Sequence, residues 1–172
     1  MTRRHIHYEA AFEQYLRCRR VPYIPVDEAR KAVFSGEKIK SFDFLVYGSG
    51  NKKWLLDVKG RQFPYCSGGS RRYWENWVAQ EDIDGLLQWE KAFGEGFSPV
   101  FVFAYWLRGE QTRRPTEEVF SYRDELYSFV AVPVEAYLAH GRIRSKKWGT
   151  LSLPTVTFRE VARPMGELLQ AV

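Results

Sequence analysis

A mixed α/β architecture, with a mixed central sheet flanked by helices, is predicted by three features of this chain. Apolar residues recur at helical spacing near the start, at Tyr8, Ala11, Phe12, Tyr15 and Leu16. Two apolar runs, residues 41–47 and 54–56, flank Gly48-Ser49-Gly50-Asn51-Lys52-Lys53, which reads as a hairpin turn. An amphipathic stretch at 81–93 then precedes the strongly apolar run 99–107. The full order reads αβ(α)ββαβββα, with extra strands toward the C-terminus.

Each element has a local reason. The first helix spans about residues 5–19, and Pro22 helps to end it. Tyr23-Ile24-Pro25-Val26 reads as a short extended segment, and Asp27 as the cap of a short helix through Phe34. The hairpin covers about 40–59. Residues 60–72 carry turn residues and read as a surface loop, and 73–77 are ambiguous. In the second helix Ile83, Leu86, Leu87 and Trp89 face the core, and Gly94 terminates it. The run 99–107 is a central strand, followed by a polar loop at 108–116. Residues 119–122 and 126–132 form a hairpin around Arg123-Asp124-Glu125. A short helix at 134–139, an irregular strand-like stretch at 147–158 and a helical turn at 165–170 complete the chain.

Bulk properties narrow the function classes. The 172 residues can build a sizeable core. No stretch approaches the ~20 apolar residues of a membrane span. The N-terminus leads into charged residues, not an apolar signal segment, so an intracellular, cytoplasmic protein is expected, with nucleoid association compatible. Cys18 and Cys66 lack a CxxC pattern and read as free thiols. The net charge of +5 and pI of about 9.2 permit a nucleic-acid partner. Basic residues cluster at Arg17, Arg19 and Arg20, at Arg71 and Arg72, and at Arg142, Arg144, Lys146 and Lys147.

Asp57-Val58-Lys59 ends the second apolar run. Strand side chains alternate faces, so Asp57 and Lys59 project on one side. Asp43 lies within the neighbouring run, between Phe42 and Phe44, where an acid needs a specific partner. Phosphodiester hydrolysis requires an activated water and compensation of developing negative charge, and a divalent ion supplies both. Two carboxylates suffice for magnesium, which keeps waters and binds substrate phosphate. Lys59 suits orienting or deprotonating the water, or stabilising charge; the base role requires a depressed pKa. On the first helix Glu9 borders the apolar stripe while Glu13 lies toward solvent, so Glu9 is the candidate third acid.

These residues resemble the PD-(D/E)XK nuclease superfamily, in particular its branch of archaeal Holliday-junction resolvases and restriction endonucleases. Glu9-Ala-Ala-Phe-Glu-Gln-Tyr-Leu16 looks like the family's first helix, Ser41-Phe42-Asp43 stands at its first aspartate, and Asp57-Val58-Lys59 at its (D/E)-x-K. Residues 83–89, then Phe93-Gly94 and an apolar strand, are similar to the helix and strand that succeed the family's site. The resemblance covers about 5–107 and implies a restriction-endonuclease-like αβββαβ core. The expectation is one nuclease-like domain over 1–172, with 108–172 as a C-terminal extension. It further implies that Asp43, Asp57 and the Val58 carbonyl bind Mg²⁺, with Mn²⁺ as a substitute. Lys59 is catalytic and Glu9 an accessory acid and further candidate ligand. Arg61, Arg71, Arg72, Lys146 and Lys147 are the expected nucleic-acid contacts. DNA is the expected substrate, and a homodimer is in keeping with many relatives. Two departures stand out: Phe42 replaces the eponymous proline, and Asp82 occupies the place where the resolvase branch often has glutamine.

Blander readings exist for each feature. Asp57 and Lys59 also suit a surface cross-strand pair. A non-catalytic nucleic-acid-binding module on a nuclease-like fold would keep the basic clusters and use the acids for nothing; a protein-interaction subunit needs neither. His5 and His7, at i,i+2, do not share a helix face and read as exposed. Gly68-Gly69-Ser70-Arg71-Arg72 lacks the spacing of a phosphate-binding loop. Tyr73, Trp74 and Trp77 suit either base stacking or core packing.

Overall fold

A computed structural model describes residues 6–27, 33–34, 36–109 and 113–170. Helix α1 (Ile6–Cys18) is followed by β1 (Tyr23–Pro25) and by a ribbon of β2 (Val33–Phe34) and β3 (Glu37–Lys38). Then come β4 (Phe44–Tyr47), β5 (Lys53–Phe63), β6 (Tyr65–Ser67), β7 (Ser70–Arg72) and β8 (Val78–Ala79). Helix α2 (Gln80–Phe93) leads to β9 (Phe97–Leu107), β10 (Phe120–Tyr122), β11 (Glu125–Pro133) and α3 (Val134–His140). The chain continues through β12 (Arg142–Ser145), β13 (Thr150–Ser152), α4 (Thr155–Val161), β14 (Arg163–Pro164) and α5 (Met165–Gln170).

Among the described residues the main sheet has seven strands, in the order β1-β4-β5-β9-β11-β10, with β14 also on β11. The two eleven-residue strands β5 and β9 run parallel at its centre, from Lys53 opposite Phe97 to Phe63 opposite Leu107. The other pairings are antiparallel, so the sheet is mixed. A parallel pair needs a crossover, and α2 supplies it. The result is a mixed sheet flanked by helices, as expected from the element order.

Side-chain alternation along β5 and β9 divides the core in two. Trp54, Leu56, Val58, Val100 and Val102 face α1, where Ala11, Phe12 and Leu16 are fully buried. Leu55, Phe63, Phe101, Phe103 and Tyr105 face the other way, toward Ile83 and Leu86 of α2 and Phe158 of α4. Asp57, Lys59 and Arg61 share the phase of Leu55 and Phe63, so they belong to the α2 side. Gly60 sits on β5 where an added Cβ would overlap the ring of buried Tyr8. Its lack of a side chain lets α1 approach the strand closely.

Three stretches differ from the sequence expectation. The helix expected through Phe34 ends instead as strand, with Val33 and Phe34 paired to Lys38 and Glu37 around Gly36 at φ 84°. A β-branched and an aromatic residue before a glycine turn favour the hairpin; residues 28–32 lie outside the described residues. The loop expected at 60–72 is strand at both ends. Pairing with β9 carries β5 on to Phe63, and Gly68 and Gly69, at φ 55° and 79°, form the tight turn of the β6–β7 hairpin. The stretch 147–158 divides at Pro154, whose φ of −53° opens α4 after β13 has ended. Among the described residues, no helix is long and apolar enough to cross a membrane. Cys18 and Cys66 are exposed free thiols.

Candidate active site

The site forms where β4 leaves β5. The last residue of β4 toward the site, Phe44, pairs with Leu56. One residue earlier, Asp43 keeps a single ladder bond, its N–H donating to the Leu56 carbonyl at 2.9 Å, while its own carbonyl accepts from Val26 N–H. The Asp43 side chain then replaces the strand. Its Oδ2 accepts from Val58 N–H at 2.6 Å, within the buried interior. The N–H and C=O of a strand residue point to the same side. The Val58 carbonyl therefore faces the gap that β4 has vacated, alongside Asp43. Phe42, in the place of the family's proline, anchors this departure by packing against Trp89, with ring centroids 5.6 Å apart.

Asp57 and Lys59 come next, on the α2 side. Lys59 Nζ lies 2.9 Å from Asp57 Oδ1 and 2.8 Å from Asp82 Oδ2. Asp82 also forms an ion pair with Lys40 through Oδ1, and its Oδ2 accepts from Ala79 N–H at 3.3 Å. Asp82 thus closes the first turn of α2 and holds the strand lysine at once. Both acids are buried, Asp57 at 6 % and Asp82 at 4 % exposure. In the sequence Asp82 reads only as a departure from glutamine. The signal that marks it is its place three residues into a helix that begins beside the expected site.

The electrostatics separate the two acids. Burial pushes the Asp57 carboxyl up, Lys59 opposes this, and the nearby Asp82 charge adds to the rise. For Asp82 burial acts in the same upward sense, but Lys59 and Lys40 outweigh it and hold the group below its usual range. Burial works against the Lys59 ammonium, yet Asp57 and Asp82 more than offset it and raise its pKa. Lys59 therefore remains charged at neutral pH, which favours charge stabilisation over the role of a base.

The remaining candidates are spread more widely. Glu9 is half-buried on α1, the helix that covers the opposite face of the sheet, while Glu13 bonds Arg17 and Tyr23 near the surface. Among the described residues, no three or more His, Cys, Asp or Glu side chains gather to hold a metal ion. Asp43 reaches β5 through its bond to the Val58 N–H, and Asp57 shares Lys59 with Asp82; carboxylate and carbonyl oxygens of this kind are hard donors, the type magnesium takes while keeping water. Arg61 lies two residues beyond Lys59. Arg71 and Arg72 stand exposed on β7, and Lys146 and Lys147 lie in the exposed turn between β12 and β13. Arg17 and Arg19 are engaged with Glu13 and Glu118. His7 is not exposed but packs against Tyr8 and Trp106, with Nδ1 2.9 Å from the Tyr127 hydroxyl; His5 lies outside the described residues. Trp74 is a packing residue against Phe63, Tyr105 and Phe158, and Trp77 lies under Arg61.

Comparison with solved structures finds a similar chain in a Holliday junction resolvase, Hjc, from the archaeal hyperthermophile Archaeoglobus fulgidus. The match has a TM-score of 0.54 and covers 95 % of this chain and 98 % of that one, at 13 % identity. The chain shares that protein's fold. At that identity the likeness concerns architecture, a restriction-endonuclease-like α/β sheet with helices on both faces. No protein-family model matches the sequence, and a search of curated proteins finds no match.

Proposed function

We propose that this protein is a metal-dependent nuclease that hydrolyses phosphodiester bonds of DNA. The observation that carries the reading is the Lys59 ammonium held beside buried Asp57, where β4 parts from β5 on a resolvase-like fold. Asp43, Asp57 and the Val58 carbonyl are the residues that would hold Mg²⁺ or Mn²⁺; the accessory-acid role proposed for Glu9 requires its side chain to reach past the sheet edge that β4 vacates, because α1 covers the other face. Such an ion, when bound, neutralises phosphate charge and acidifies water.

The protein's own groups supply the rest. Lys59, charged and fixed from two sides, is preorganised to stabilise negative charge developing on a phosphate oxygen. Asp82 is the positioning residue that keeps its ammonium in place. Asp57, its carboxyl raised by burial, is an acid whose charged form gains from a cation beyond Lys59. Arg61, Arg71, Arg72, Lys146 and Lys147 are the proposed phosphate contacts, of which Arg61 and Arg72 line one cavity. A homodimer, an intracellular site of action and a single domain over 1–172 belong to the same proposal.

A cleavage panel tests it, with single-stranded, duplex and branched DNA in Mg²⁺ and in Mn²⁺. Cleavage that disappears in EDTA and in folded Asp57→Ala protein is expected. Full activity of Asp57→Ala would overturn the assignment. A second reading, a non-catalytic DNA-binding module, draws on the mutual neutralisation of Lys59 and Lys40 by Asp57 and Asp82. Salt-sensitive binding without cleavage on any substrate selects it.

A further inference from the structure

Beyond the candidate catalytic residues, β5 carries one more cation in an unusual setting. Arg61 donates from Nη1 to the Gly60 carbonyl at 2.8 Å and from Nη2 to the Trp77 carbonyl, and its Nε is buried without a partner. No carboxylate among the described residues forms an ion pair with it. In place of an acid its guanidinium lies 3.9 Å from the Trp77 ring centroid. Burial lowers its pKa, with Tyr105 the foremost opposing influence. Arg61 is half-buried with its Nε sealed off, and Glu75, the acid that acts on it, forms no ion pair with it, so an anionic ligand would complete its surroundings.

Arg61 lines a cavity of about 490 Å³ together with Tyr65, Arg72, Glu75, Trp77 and Arg144. Arg144 comes from the C-terminal hairpin and lies 5.1 Å from the same Trp77 ring. That hairpin is fastened to the start of α2. Strand β13 pairs with β8, and Gln80 N–H donates to the Gly149 carbonyl at 2.8 Å. Among the described residues the only acid in the wall is Glu75, 3.8 Å from Arg72. Three arginines face one glutamate, and two of them gather on one indole. Like charges converge there against their mutual repulsion, and an anion between them would relieve it.

We propose that this pocket is a phosphate subsite, occupied by the backbone phosphate of the DNA strand next to the one that Lys59 faces. Arg61 lies two residues after Lys59 on the same face of β5, a distance of roughly 7 Å along the strand. That matches the step between successive phosphates of one nucleic-acid strand. Arg61 is the fixed anchor at the floor, Arg144 and Arg72 close over the phosphate, and Trp77 holds both Arg61 and Arg144. The C-terminal extension thereby becomes part of substrate binding. The identity of the occupant rests on the nuclease reading.

The test is a binding cycle in EDTA, where no cleavage occurs. Fluorescence anisotropy tracks a labelled oligonucleotide carrying a neutral methylphosphonate at one position at a time. Wild-type protein is expected to lose about tenfold in affinity at one position, the size of a lost charged hydrogen bond. Arg61→Gln is expected to bind the unmodified strand about tenfold more weakly, with a salt slope smaller by about 1. The two losses should not add. Arg144→Ala, on the exposed hairpin, repeats the cycle should Arg61→Gln fail to fold. Additive losses, unchanged binding by the folded variants, or no DNA binding by the wild type would each overturn the subsite. If the cycle closes as expected but the wild type cuts nothing in Mg²⁺ or Mn²⁺, the nuclease reading falls and the subsite stands.

Discussion

Asp82, in the first turn of α2, holds Lys59 of β5 with an Oδ2–Nζ distance of 2.8 Å. This contact ties the crossover helix to the strand that carries the candidate catalytic lysine. The same carboxylate oxygen accepts from the backbone N–H of Ala79. The helix start therefore fixes the acid, and the acid fixes the lysine. Asp57 meets Lys59 from its own strand at 2.9 Å, so the ammonium has little freedom to swing.

Asp82→Asn keeps the shape and a capping oxygen but removes the charge. Breaking a buried ion pair by neutralising one partner costs about 3 kcal/mol. The folded-state pKa of Asp82 is depressed, so its stabilisation is present above the unfolded value and lost as pH falls through the folded one. Urea unfolding of both proteins should show the largest difference at neutral pH and a shrinking difference below about pH 4. A difference that grows with acidification would contradict the pairing.

Asp57→Asn should act with the opposite sign. The Asp57 carboxyl is raised by burial, so its charged form costs stability that returns only when the group is protonated. Its favourable contribution is full below the unfolded pKa and lost as pH rises through the folded one. Because Asp57 is also an ion-pair partner of Lys59, the linkage fixes how the difference changes with pH: in EDTA the amide variant's stability relative to the wild type should improve as pH rises from about 4 to 7, and cleavage should be abolished. Calorimetry across pH checks the first claim and a cleavage assay the second; a relative stability that falls as pH rises would refute the electrostatic argument.

The central architecture is legible in the sequence because hydrophobic period and turn chemistry agree with each other there. The 41–59 hairpin, α2 with Gly94 after it, and β9 are each announced by local sequence. So is the grouping of Asp57 and Lys59, which comes from strand alternation alone. Two features are hidden. Gly60 reads as a turn residue, although its role is to admit the Tyr8 ring, and that requirement comes from a helix distant in the chain. Asp82 reads as a loss of the family's glutamine, although its partner is a lysine on another element. Non-local contacts of this kind leave no periodic trace.

Lys59 should carry its charge throughout the neutral range. Its pKa is raised because two carboxylates outweigh the effect of burial. Heteronuclear NMR of ¹⁵N-labelled lysine can observe its Nζ directly. No deprotonation is expected between pH 6 and about 9, below the ordinary lysine value of about 10.4. In Asp82→Asn the titration should move to lower pH. A midpoint near neutrality in the wild type would restore the general-base role that the ion pairs argue against.

Gly60→Ala tests how α1 is seated against the site. The residue lies in β5 immediately after Lys59, and an ideal Cβ there would run into the Tyr8 ring. Tyr8 is buried at 7 % exposure, with edge-on contacts to Trp106 and Tyr127, so its ring has little room to retreat. Overpacking of this kind costs about 1–3 kcal/mol. Because the strain falls on the α1 side while Lys59 projects to the α2 side, the damage should appear first in stability. Urea unfolding should show a lowered midpoint with an unchanged m-value. Pairing the change with Tyr8→Leu, which removes the ring's far edge, should recover part of the loss. Equal destabilisation with and without Tyr8→Leu would show that the ring is not what glycine accommodates.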